Sequence, residues 1–324
     1  MKKPTLFILL AFVVLSLNVE SFSQKDSTKC RPSQVGNRFA DVTGDGKADA
    51  IVINIEGITV RRSNGRNFDR NEAWTEIPYF GQIGTFFADV TGDGKDDAIV
   101  VNEDAVVVRR SNGRSFSPNE VWTENPYYGQ RGIFFADVTG DRRADAIVVN
   151  NDGITVRRSN GNRFNENEAW TDNPYYGENG TFFADVTGDG RADAVVINNQ
   201  TVTVRRSNGR RFLPNEEWSR ARLQNRQVHF SDVNGDGKSD LLAVNNRRID
   251  VYISLGDRFD REQAWTNTGF FGNIGNYFAD VNGDRLADAI VVNNDGVTVK
   301  RTGNARFMST EAWTESAYWG DICN

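Results

Sequence analysis

The sequence predicts an all-β protein, a six-bladed β-propeller with four-stranded blades. Three observations lead to this fold class. A unit of about 48 residues recurs six times, each unit contains four short stretches with strand character, and the chain combines 30 glycines with a hydrophobic content of only 38%. Low apolar content with frequent glycine is typical of many short strands joined by tight turns.

The repeat is defined by the motif Phe-Ala-Asp-Val-x-Gly-Asp or a close variant of it. Successive copies start 48, 48, 48, 47 and 48 residues apart, and a tryptophan follows each first aspartate by 33 residues. The first aspartates are Asp41, Asp89, Asp137, Asp185, Asp232 and Asp280. The tryptophans are Trp74, Trp122, Trp170, Trp218, Trp265 and Trp313. Because the copies fill residues 37–324, we expect one propeller domain there and no second domain.

Within one copy the hydrophobic pattern has the period of strands. In the second copy we predict strands at Thr85–Val90, Ala98–Asn102 and Ala105–Arg110, and a fourth strand around Phe116–Thr123. Ser111-Asn112-Gly113 is a turn, because Asn and Gly accept positive φ angles. No stretch shows a convincing helical stripe.

Four strands in about 48 residues are typical of a propeller blade, in which radial repetition leaves only short, protected sheet edges. A solenoid of stacked β-units is the alternative. A solenoid needs atypical capping repeats at its ends, whereas the first and sixth copies keep the full pattern. The sequence therefore favours a closed ring of six blades.

The N-terminus has the pattern of a secretory signal peptide. Lys2 and Lys3 precede an apolar run, Leu6–Leu17, and small residues follow at Ser21 and Ser23. This pattern predicts cleavage after residue 23 and a secreted protein, extracellular or periplasmic. An N-terminal membrane anchor is the alternative, but about a dozen apolar residues fall short of the ~20 that span a bilayer. No later segment is predicted to span a membrane.

The only two cysteines, Cys30 and Cys323, lie near opposite ends of the chain. In an exported protein two cysteines are expected to pair. A Cys30–Cys323 disulfide would join the N-terminal segment, residues 24–36, to the end of the propeller and close the ring. Two unpaired thiols at the termini are the alternative.

Each copy contains a loop with aspartates at positions 1, 5 and 9 and with Thr or Asn at position 3. The loop residues are Asp41, Thr43, Asp45, Asp49, Asp89, Thr91, Asp93, Asp97, Asp137, Thr139, Asp141, Asp145, Asp185, Thr187, Asp189, Asp193, Asp232, Asn234, Asp236, Asp240, Asp280, Asn282, Asp284 and Asp288. Closely spaced hard oxygen ligands suit Ca²⁺, which takes six to eight of them. We therefore predict up to six calcium sites. Asx-turns that satisfy backbone donors are the alternative.

The six loops are not equivalent at position 6. Four copies have glycine there: Gly46, Gly94, Gly190 and Gly237. The third and sixth copies have Arg142 and Arg285, which add the cost of a positive φ angle and a nearby positive charge. The calcium sites of repeats three and six are predicted to be weaker.

With these residues in view, the repeat resembles the FG-GAP/VCBS-type repeat. The motif that carries the resemblance is Phe-x-Asp-Val-x-Gly-Asp-Gly-x-x-Asp followed by an apolar strand, as in Phe87–Val100. The resemblance covers essentially the whole mature chain and implies a β-propeller with a Ca²⁺ loop between the first two strands of each blade, as in the α-integrin headpiece. The repeat is also similar to those of secreted propeller lectins, which implies sugar binding between adjacent blades. Six blades rather than seven depart from the best-known fungal example.

An aromatic loop follows five of the six tryptophans. Its predicted ligand-binding residues are Tyr79, Phe80, Tyr127, Tyr128, Tyr175, Tyr176, Phe270, Phe271, Tyr318 and Trp319. At the fifth copy residues 220–227 take the place of this loop. Aromatic faces stack on the C–H faces of sugar rings, and tyrosine hydroxyls can form hydrogen bonds. The alternative is that these rings pack blade against blade.

Paired basic residues precede the Ser-Asn-Gly turn, and one member of each pair is expected to face a groove. The predicted ligand-binding members are Arg62, Arg110, Arg158, Arg206 and Arg301. An arginine there offers a fork to carboxylate, sulfate or hydroxyl groups. The alternative is an ion pair with the glutamate two residues before each tryptophan. The fifth copy departs, with Ile253 in place of this arginine.

These features favour a multivalent carbohydrate-binding protein, a lectin whose partners are glycans or glycoconjugates. A protein-binding adhesion or structural propeller is the alternative, and it would require unique loops on one face. We expect no enzyme: the single histidine, His229, lies in the position that Phe86 and Phe134 occupy in other copies. No basic stripe indicates nucleic-acid binding.

Overall fold

The structure, a computed structural model, describes residues 35–303 and 305–320. These residues form six antiparallel sheets of four strands, and in every sheet the strands follow chain order. The prediction of an all-β propeller with six four-stranded blades is confirmed. The predicted signal peptide, residues 24–34 and both cysteines lie outside the described residues.

Each blade contributes one strand to each of four positions, counted outward from the centre of the ring. The first strands are β1 Gly36–Ala40, β5 Gly84–Ala88, β9 Gly132–Ala136, β13 Gly180–Ala184, β17 Gln227–Ser231 and β21 Gly275–Ala279. The second strands are β2 Asp49–Ile53, β6 Asp97–Val101, β10 Asp145–Val149, β14 Asp193–Ile197, β18 Asp240–Val244 and β22 Asp288–Asn293. The third strands are β3 Ile58–Arg61, β7 Val106–Arg109, β11 Ile154–Arg157, β15 Val202–Arg205, β19 Ile249–Tyr252 and β23 Gly296–Gly303. The fourth strands are β4 Glu72–Ala73, β8 Glu120–Val121, β12 Glu168–Ala169, β16 Glu216–Ser219, β20 Gln263–Ala264 and β24 Arg306–Ala312.

The first strands surround the centre and close the ring, since each contacts the first strands of both neighbouring blades, β1 with β21 included. A set of backbone hydrogen bonds also runs round all six junctions. The residue before each second strand donates to the first aspartate of the preceding blade, as in Ala144 N to Asp89 O at 2.7 Å. The same bond joins the last blade to the first, from Ala48 N to Asp280 O at 2.7 Å. Ring closure therefore uses the same backbone bond as every other junction.

Burial decreases from the centre of each blade to its rim. The second strands are covered on both faces, and Asp97–Val101 is buried throughout. Strands covered on both faces consist of near-continuous apolar runs, which explains the Ala-Ile-Val-Val stretch there. The fourth strand of the same blade has an exposed Val121 and only two residues. The packed core therefore lies between blades, around the inner three strands.

The meander places the loops of every blade at two opposite ends of the ring. The aspartate loop, between the first and second strands, and the turn between the third and fourth strands lie at one end, called here the Asp end. The hairpin between the second and third strands and the connection to the next blade lie at the other, called the aromatic end. A strand of five residues separates the two ends by roughly 17 Å.

In the second blade the first three strands lie within two residues of the predicted positions. The fourth strand is shorter than predicted, because Phe116 forms only an isolated bridge with Ser111 and Trp122 follows the strand. The fourth strand is the outermost of its sheet and pairs only with the third strand, so its regular pairing is limited to two residues. Within the described ranges the chain forms no helix with the length and apolar character needed to cross a bilayer.

His229 lies in the inner strand of the fifth blade, where blades 2 to 4 have phenylalanine. It is fully buried, its ring centroid lies 4.9 Å from that of Phe278 in the next blade, and neither ring nitrogen has a hydrogen-bond partner among the described residues. Burial lowers the pKa of His229 to about 3. The histidine therefore packs as a neutral aromatic ring.

Replacing His229 with phenylalanine is expected to make the protein less sensitive to acid. Below pH ~6.5 the unfolded chain takes up a proton that the folded chain does not, so stability is lost as the pH falls towards 3. Between pH 7 and pH 4.5, the wild type should lose about 2–3 kcal/mol more free energy of unfolding than His229→Phe. Urea unfolding at the two pH values measures this difference. Equal losses in both proteins would contradict the assignment.

Candidate functional site

The loop after each tryptophan brings an aromatic pair to the junction with the next blade, and the first ring of the pair is buried there. Tyr127 is 5% exposed, and its hydroxyl lies 3.3 Å from the carbonyl oxygen of Ala146 in the next blade. The equivalent rings, also buried, are Tyr79, Tyr175, Phe270 and Tyr318. These five rings pack blade against blade, which is the alternative interpretation that the sequence left open.

The second ring of each pair is more accessible. These rings are Phe80, Tyr128, Tyr176, Phe271 and Trp319. Tyr128 is 38% exposed and Phe271 is 45% exposed, whereas the other three are half-buried. Tyr176 is additionally covered on one face by the guanidinium of Arg131, whose centre lies 4.2 Å from the ring centroid. The second rings are therefore the members of the predicted aromatic set that a ligand can reach.

The glycine that ends the aromatic loop is required by close packing. A Cβ atom at Gly177 would collide with the carbonyl oxygens of Gly180 and Ile197. The loop is therefore pressed against the first two strands of the next blade. This contact gives the aromatic pair a defined position.

The arginines predicted to bind ligand are engaged by glutamates of their own blade. Arg158 donates from Nε and Nη2 to Glu168 Oε2 at 3.1 and 2.9 Å, and its guanidinium lies 5.8 Å from the ring centroid of Trp170. The equivalent ion pairs are Arg62–Glu72, Arg110–Glu120, Arg206–Glu216 and Arg301–Glu311. The structure thus shows the intrablade ion pair that was the alternative interpretation of these arginines.

The other member of each basic pair faces the junction instead. The guanidinium of Arg157 lies 4.7 Å from the ring centroid of Tyr127, which belongs to the preceding blade. The equivalent contacts are Arg61 on Tyr318, Arg109 on Tyr79, Arg205 on Tyr175 and Lys300 on Phe270. The sequence analysis did not select these cations. Alternation along the strand placed one member of each pair in the groove, but only the position of the neighbouring loop shows which one.

A groove of about 270 Å³ lies between blades 3 and 4 at such a junction. Its lining includes Tyr175, Tyr176, Asn198, Thr203, Arg205 and Asn215. Arg205 donates from Nη2 to Asn173 Oδ1 at 2.8 Å, while its buried Nε has no acceptor among the described residues. The groove therefore combines aromatic rings, amide groups and a guanidinium group.

In the aspartate loops, the carboxylate at position 1 binds the backbone of its own loop. Asp41 Oδ1 accepts a hydrogen bond from Gly44 N at 2.7 Å, and Oδ2 accepts one from Gly46 N at 2.7 Å. Thr43 Oγ1, at position 3, lies 3.3 Å from Asp41 Oδ1. These bonds form the Asx-turn expected as the alternative, and they draw the oxygens of positions 1 and 3 together.

The aspartate at position 9 is fully buried and connects two loops of the Asp end. Asp145 Oδ1 accepts a hydrogen bond from Ser159 N at 2.9 Å, and Oδ2 accepts one from Val138 N at 3.2 Å. Ser159 Oγ in turn donates to Val90 O of the preceding blade at 2.5 Å. The carboxylate at position 9 therefore links the aspartate loop to the turn between the third and fourth strands, and through that turn to the preceding blade.

The three aspartates of a loop also interact electrostatically. The pKa of Asp145 is raised to about 7, mainly by burial and also by the nearby carboxylates of Asp137 and Asp141, whereas two backbone hydrogen bonds act to lower it. In five of the loops the aspartate at position 5 forms an ion pair with a basic residue at position 7, as in Asp93–Lys95 at 2.7 Å, whereas the sixth loop has Leu286 there.

In residues 35–303 and 305–320, no three His, Cys, Asp or Glu side chains form a ready-made metal cluster. The donors in each loop are nevertheless all oxygens, and the repulsion that raises the pKa of the position 9 carboxylate is of the kind a divalent cation would relieve. In donor chemistry the loops fit Ca²⁺. Positions 1, 3 and 5 would hold it, with the carboxylate at position 9 behind them.

The two loops with arginine at position 6 adopt the strained backbone that the sequence predicted. Arg142 has a φ angle of 67° and Arg285 one of 70°, close to the 82° of Gly46 and Gly94. A residue with a Cβ atom pays roughly 1–2 kcal/mol for this conformation. The two loops therefore keep the fold of the other four at the expense of local strain.

Comparison with known proteins gives one family and a common fold. A family model described as an FG-GAP-like repeat matches residues 89–148, 137–196 and 232–291, which together make up just over half of the 324 residues. No curated protein matches the chain.

Two solved structures illustrate the likeness in fold. An Agrocybe aegerita lectin that recognises non-reducing terminal N-acetylglucosamine is similar with a TM-score of 0.64 and 22% identity, over 88% of this chain and 81% of the lectin. A chain of the Photorhabdus luminescens Tc holotoxin pore is similar with a TM-score of 0.58 and 18% identity, over 81% of this chain and 13% of that one. At these identities the likeness shows the fold alone.

Replacing Asp97 with asparagine is expected to destabilise the protein even when calcium is chelated. Asp97 is buried, and its two oxygens accept hydrogen bonds from Ser111 N and Val90 N. An amide would turn an NH₂ group towards one of these donors and cost about 1–3 kcal/mol. Urea unfolding in EGTA measures the loss.

The matched control is Asp93→Asn, in the same loop but exposed, which should change the free energy of unfolding in EGTA by no more than about 0.5 kcal/mol. Equal effects of the two substitutions would show that Asp97 has no structural role apart from a metal.

Proposed function

The chain belongs to the FG-GAP-like repeat family, and on this basis we propose that it is a secreted, calcium-binding propeller that binds carbohydrate at several grooves between adjacent blades, without catalysing a reaction. The observation that carries the proposal is the groove between blades 3 and 4. A half-buried aromatic ring, Tyr176, lies there beside the guanidinium of Arg205 and beside the amides of Asn198 and Asn215. Rings that stack on sugar C–H faces, with amide and guanidinium groups for hydroxyls, are the usual elements of a sugar site.

Repetition of this chemistry round the ring supports multivalent binding. Five junctions have an aromatic pair whose first ring is covered by a cation of the next blade. Several shallow sites on one rigid ring give avidity, so no single site needs to bind tightly. The likeness in fold to a lectin specific for terminal N-acetylglucosamine adds weight to this choice over an adhesion module that binds protein.

The position of the aspartate loops supports a role for calcium that is separate from sugar binding. They lie at the Asp end, whereas the aromatic loops lie at the opposite end of every blade. We propose that bound calcium stabilises the connection between blades and does not touch the sugar. Chelation should then weaken glycan binding only to the extent that it unfolds the ring.

A glycan-array screen of the calcium-loaded protein is expected to show selective binding to a neutral glycan. Replacing Tyr128, Tyr176 and Phe271 together with alanine should lower the apparent affinity for that glycan at least about tenfold, because avidity amplifies the loss of individual sites. Val121→Ala, on the exposed outer strand, is the control and should bind as the wild type does.

A folded, calcium-loaded protein that binds no glycan would reject the carbohydrate proposal in favour of protein binding. Glycan binding that the triple substitution leaves unchanged would reject the location of the sites.

Calcium titration is expected to reveal four tighter and two weaker sites, since two loops carry an arginine at position 6. Each site held at 100 times its dissociation constant would stabilise the fold by about 2.7 kcal/mol, so the Tm should rise with calcium. Arg142→Gly should convert one weak site into a tight one in isothermal titration, whereas Arg163→Gly, outside the loops, should not. Six equal sites would contradict the ranking, and the absence of any calcium-dependent shift in Tm would contradict the sites themselves.

A further inference from the structure

The junction between blades 4 and 5 differs from the other five. Its connecting loop, counted from the residue after Trp218 to the start of β17 and so including the last residue of β16, is residues 219–226. It has no aromatic residue and is one residue shorter than the equivalent loop between blades 3 and 4, residues 171–179. The groove is nevertheless present, with a volume of about 540 Å³ against about 270 Å³ at the preceding junction. The two grooves overlap in position but have different walls: Arg222, Tyr252 and Glu262 line the second groove where the equivalent residues Pro174, Arg205 and Asn215 line the first.

The aromatic ring and the cations have exchanged sides in this groove. Five residues after the tryptophan, Leu223 replaces the buried ring of Tyr175, and on the facing strand Tyr252 replaces Arg205. The loop now supplies the cations, Arg220 and Arg222, and both line the groove. At this junction the strand therefore supplies the aromatic ring and the loop supplies the cations, whereas at the preceding junction the loop supplies the ring and the strand the cation.

This sector of the aromatic end is also far more basic than the rest. The connecting loop 219–226 and the hairpin 245–248 contain five arginines and no acidic residue. Those arginines are Arg220, Arg222, Arg226, Arg247 and Arg248. Apart from the hairpin 198–201 and the loop 266–274, the corresponding loops and hairpins carry acidic residues, which include Glu56, Glu76, Glu103, Asp104, Glu124, Asp152, Asp172, Asp295 and Glu315. A basic sector on an otherwise acidic end favours a negatively charged ligand at this place.

Two of the arginines form ion pairs with acidic residues beside the groove. Arg226 lies 2.9 Å from Oδ2 of Asp250 and 2.9 Å from Oε1 of Glu262, and Arg248 lies 2.7 Å from Asp250 Oδ1. Asp250 is fully buried. These ion pairs neutralise the carboxylates of Asp250 and Glu262. The two carboxylates therefore repel an anion in the groove only weakly.

Two other arginines of the groove have unused guanidinium groups. Arg222 and Arg261 line the groove and are exposed, and within the described part of the chain neither guanidinium has a hydrogen bond or ion pair. Arg220 is paired with Glu217 at 2.7 Å. Asp260, the remaining acidic residue of the lining, accepts a hydrogen bond from the backbone N of Arg261. The free cations therefore come from both walls of the groove, one from each blade.

We propose that the groove between blades 4 and 5 binds an acidic saccharide, through contacts of Arg222 and Arg261 with a carboxylate or sulfate group on the sugar. The planar fork of arginine matches such groups with paired, charge-assisted hydrogen bonds. Tyr252 and Phe259 form the apolar part of the lining, and the carboxylate of Asp260 can accept hydrogen bonds from sugar hydroxyls. The inference rests on the proposed carbohydrate-binding function and adds to it a second, different class of site.

The test uses the whole calcium-loaded protein and three tetrasaccharides: an oligomer of galacturonic acid, its methyl ester and a sulfated oligosaccharide. Isothermal titration should show binding of the acid or the sulfate with a stoichiometry of one, and at least tenfold weaker binding of the uncharged ester. Which anion binds better identifies the group on the natural ligand. Replacement of Arg222 and Arg261 together with alanine should weaken binding of the acidic ligand at least tenfold.

The control removes the same charge from the turns between the third and fourth strands of blades 3 and 4, with Arg163 and Arg210 both replaced by alanine, and should leave acidic binding unchanged. Equal weakening by the control would show general electrostatic attraction and overturn the site, as would equal affinity for acid and ester. The triple aromatic substitution described above separates the two proposals. It should weaken the binding of the neutral glycan alone, whereas replacement of Arg222 and Arg261 should weaken the binding of the acidic ligand alone.

Discussion

The architecture depends on one buried carboxylate per blade. The aspartate that begins each second strand accepts hydrogen bonds from its own aspartate loop and from the turn between the third and fourth strands, as Asp145 does with Val138 and Ser159. In five blades the serine of that turn continues the connection to a carbonyl of the preceding blade, as from Ser159 to Val90. A carboxylate with no counter-cation is costly to bury. Because every blade uses it, we infer that the hydrogen bonds that this carboxylate accepts at the Asp end offset the cost of burying it.

Periodicity predicted the fold because a closed ring of identical blades requires identical spacing, and the spacing was visible without any structure. The candidate site could be predicted only in part. The sequence identified the aromatic loop but could not separate the buried Tyr127 from the exposed Tyr128, since adjacent residues in a loop share the same local signals. It identified each basic pair but selected Arg158, which its own glutamate holds, and not Arg157, which faces the preceding blade. Both distinctions depend on the neighbouring blade, and no pattern within one repeat contains that information.

The two ends of the ring have separate physical tasks. At the Asp end, backbone amides and carboxylates form a dense hydrogen-bond network that repeats with little variation. At the aromatic end, the loops are packed at their base by a glycine such as Gly177, while their outer side chains vary in chemistry from blade to blade. Because the strands between the ends are buried on both faces, substitutions at the aromatic end need not disturb the network at the Asp end. This separation permits binding chemistry to diverge on a conserved frame.

Every groove is shared by two consecutive repeats, one of which supplies the loop and the other the strand. A single repeat therefore contributes to two different grooves, and neither groove is formed by that repeat alone. A change of specificity at one groove then requires matched substitutions in two copies, and the divergent groove has them: Leu223 belongs to the fourth copy and Tyr252 to the fifth. Duplicating one repeat would copy half of each of two pockets. In this ring each binding groove therefore lies at a junction between two blades, whereas the sequence repeat folds as one blade. The unit that recognises a ligand is offset by half a blade from the unit that folds.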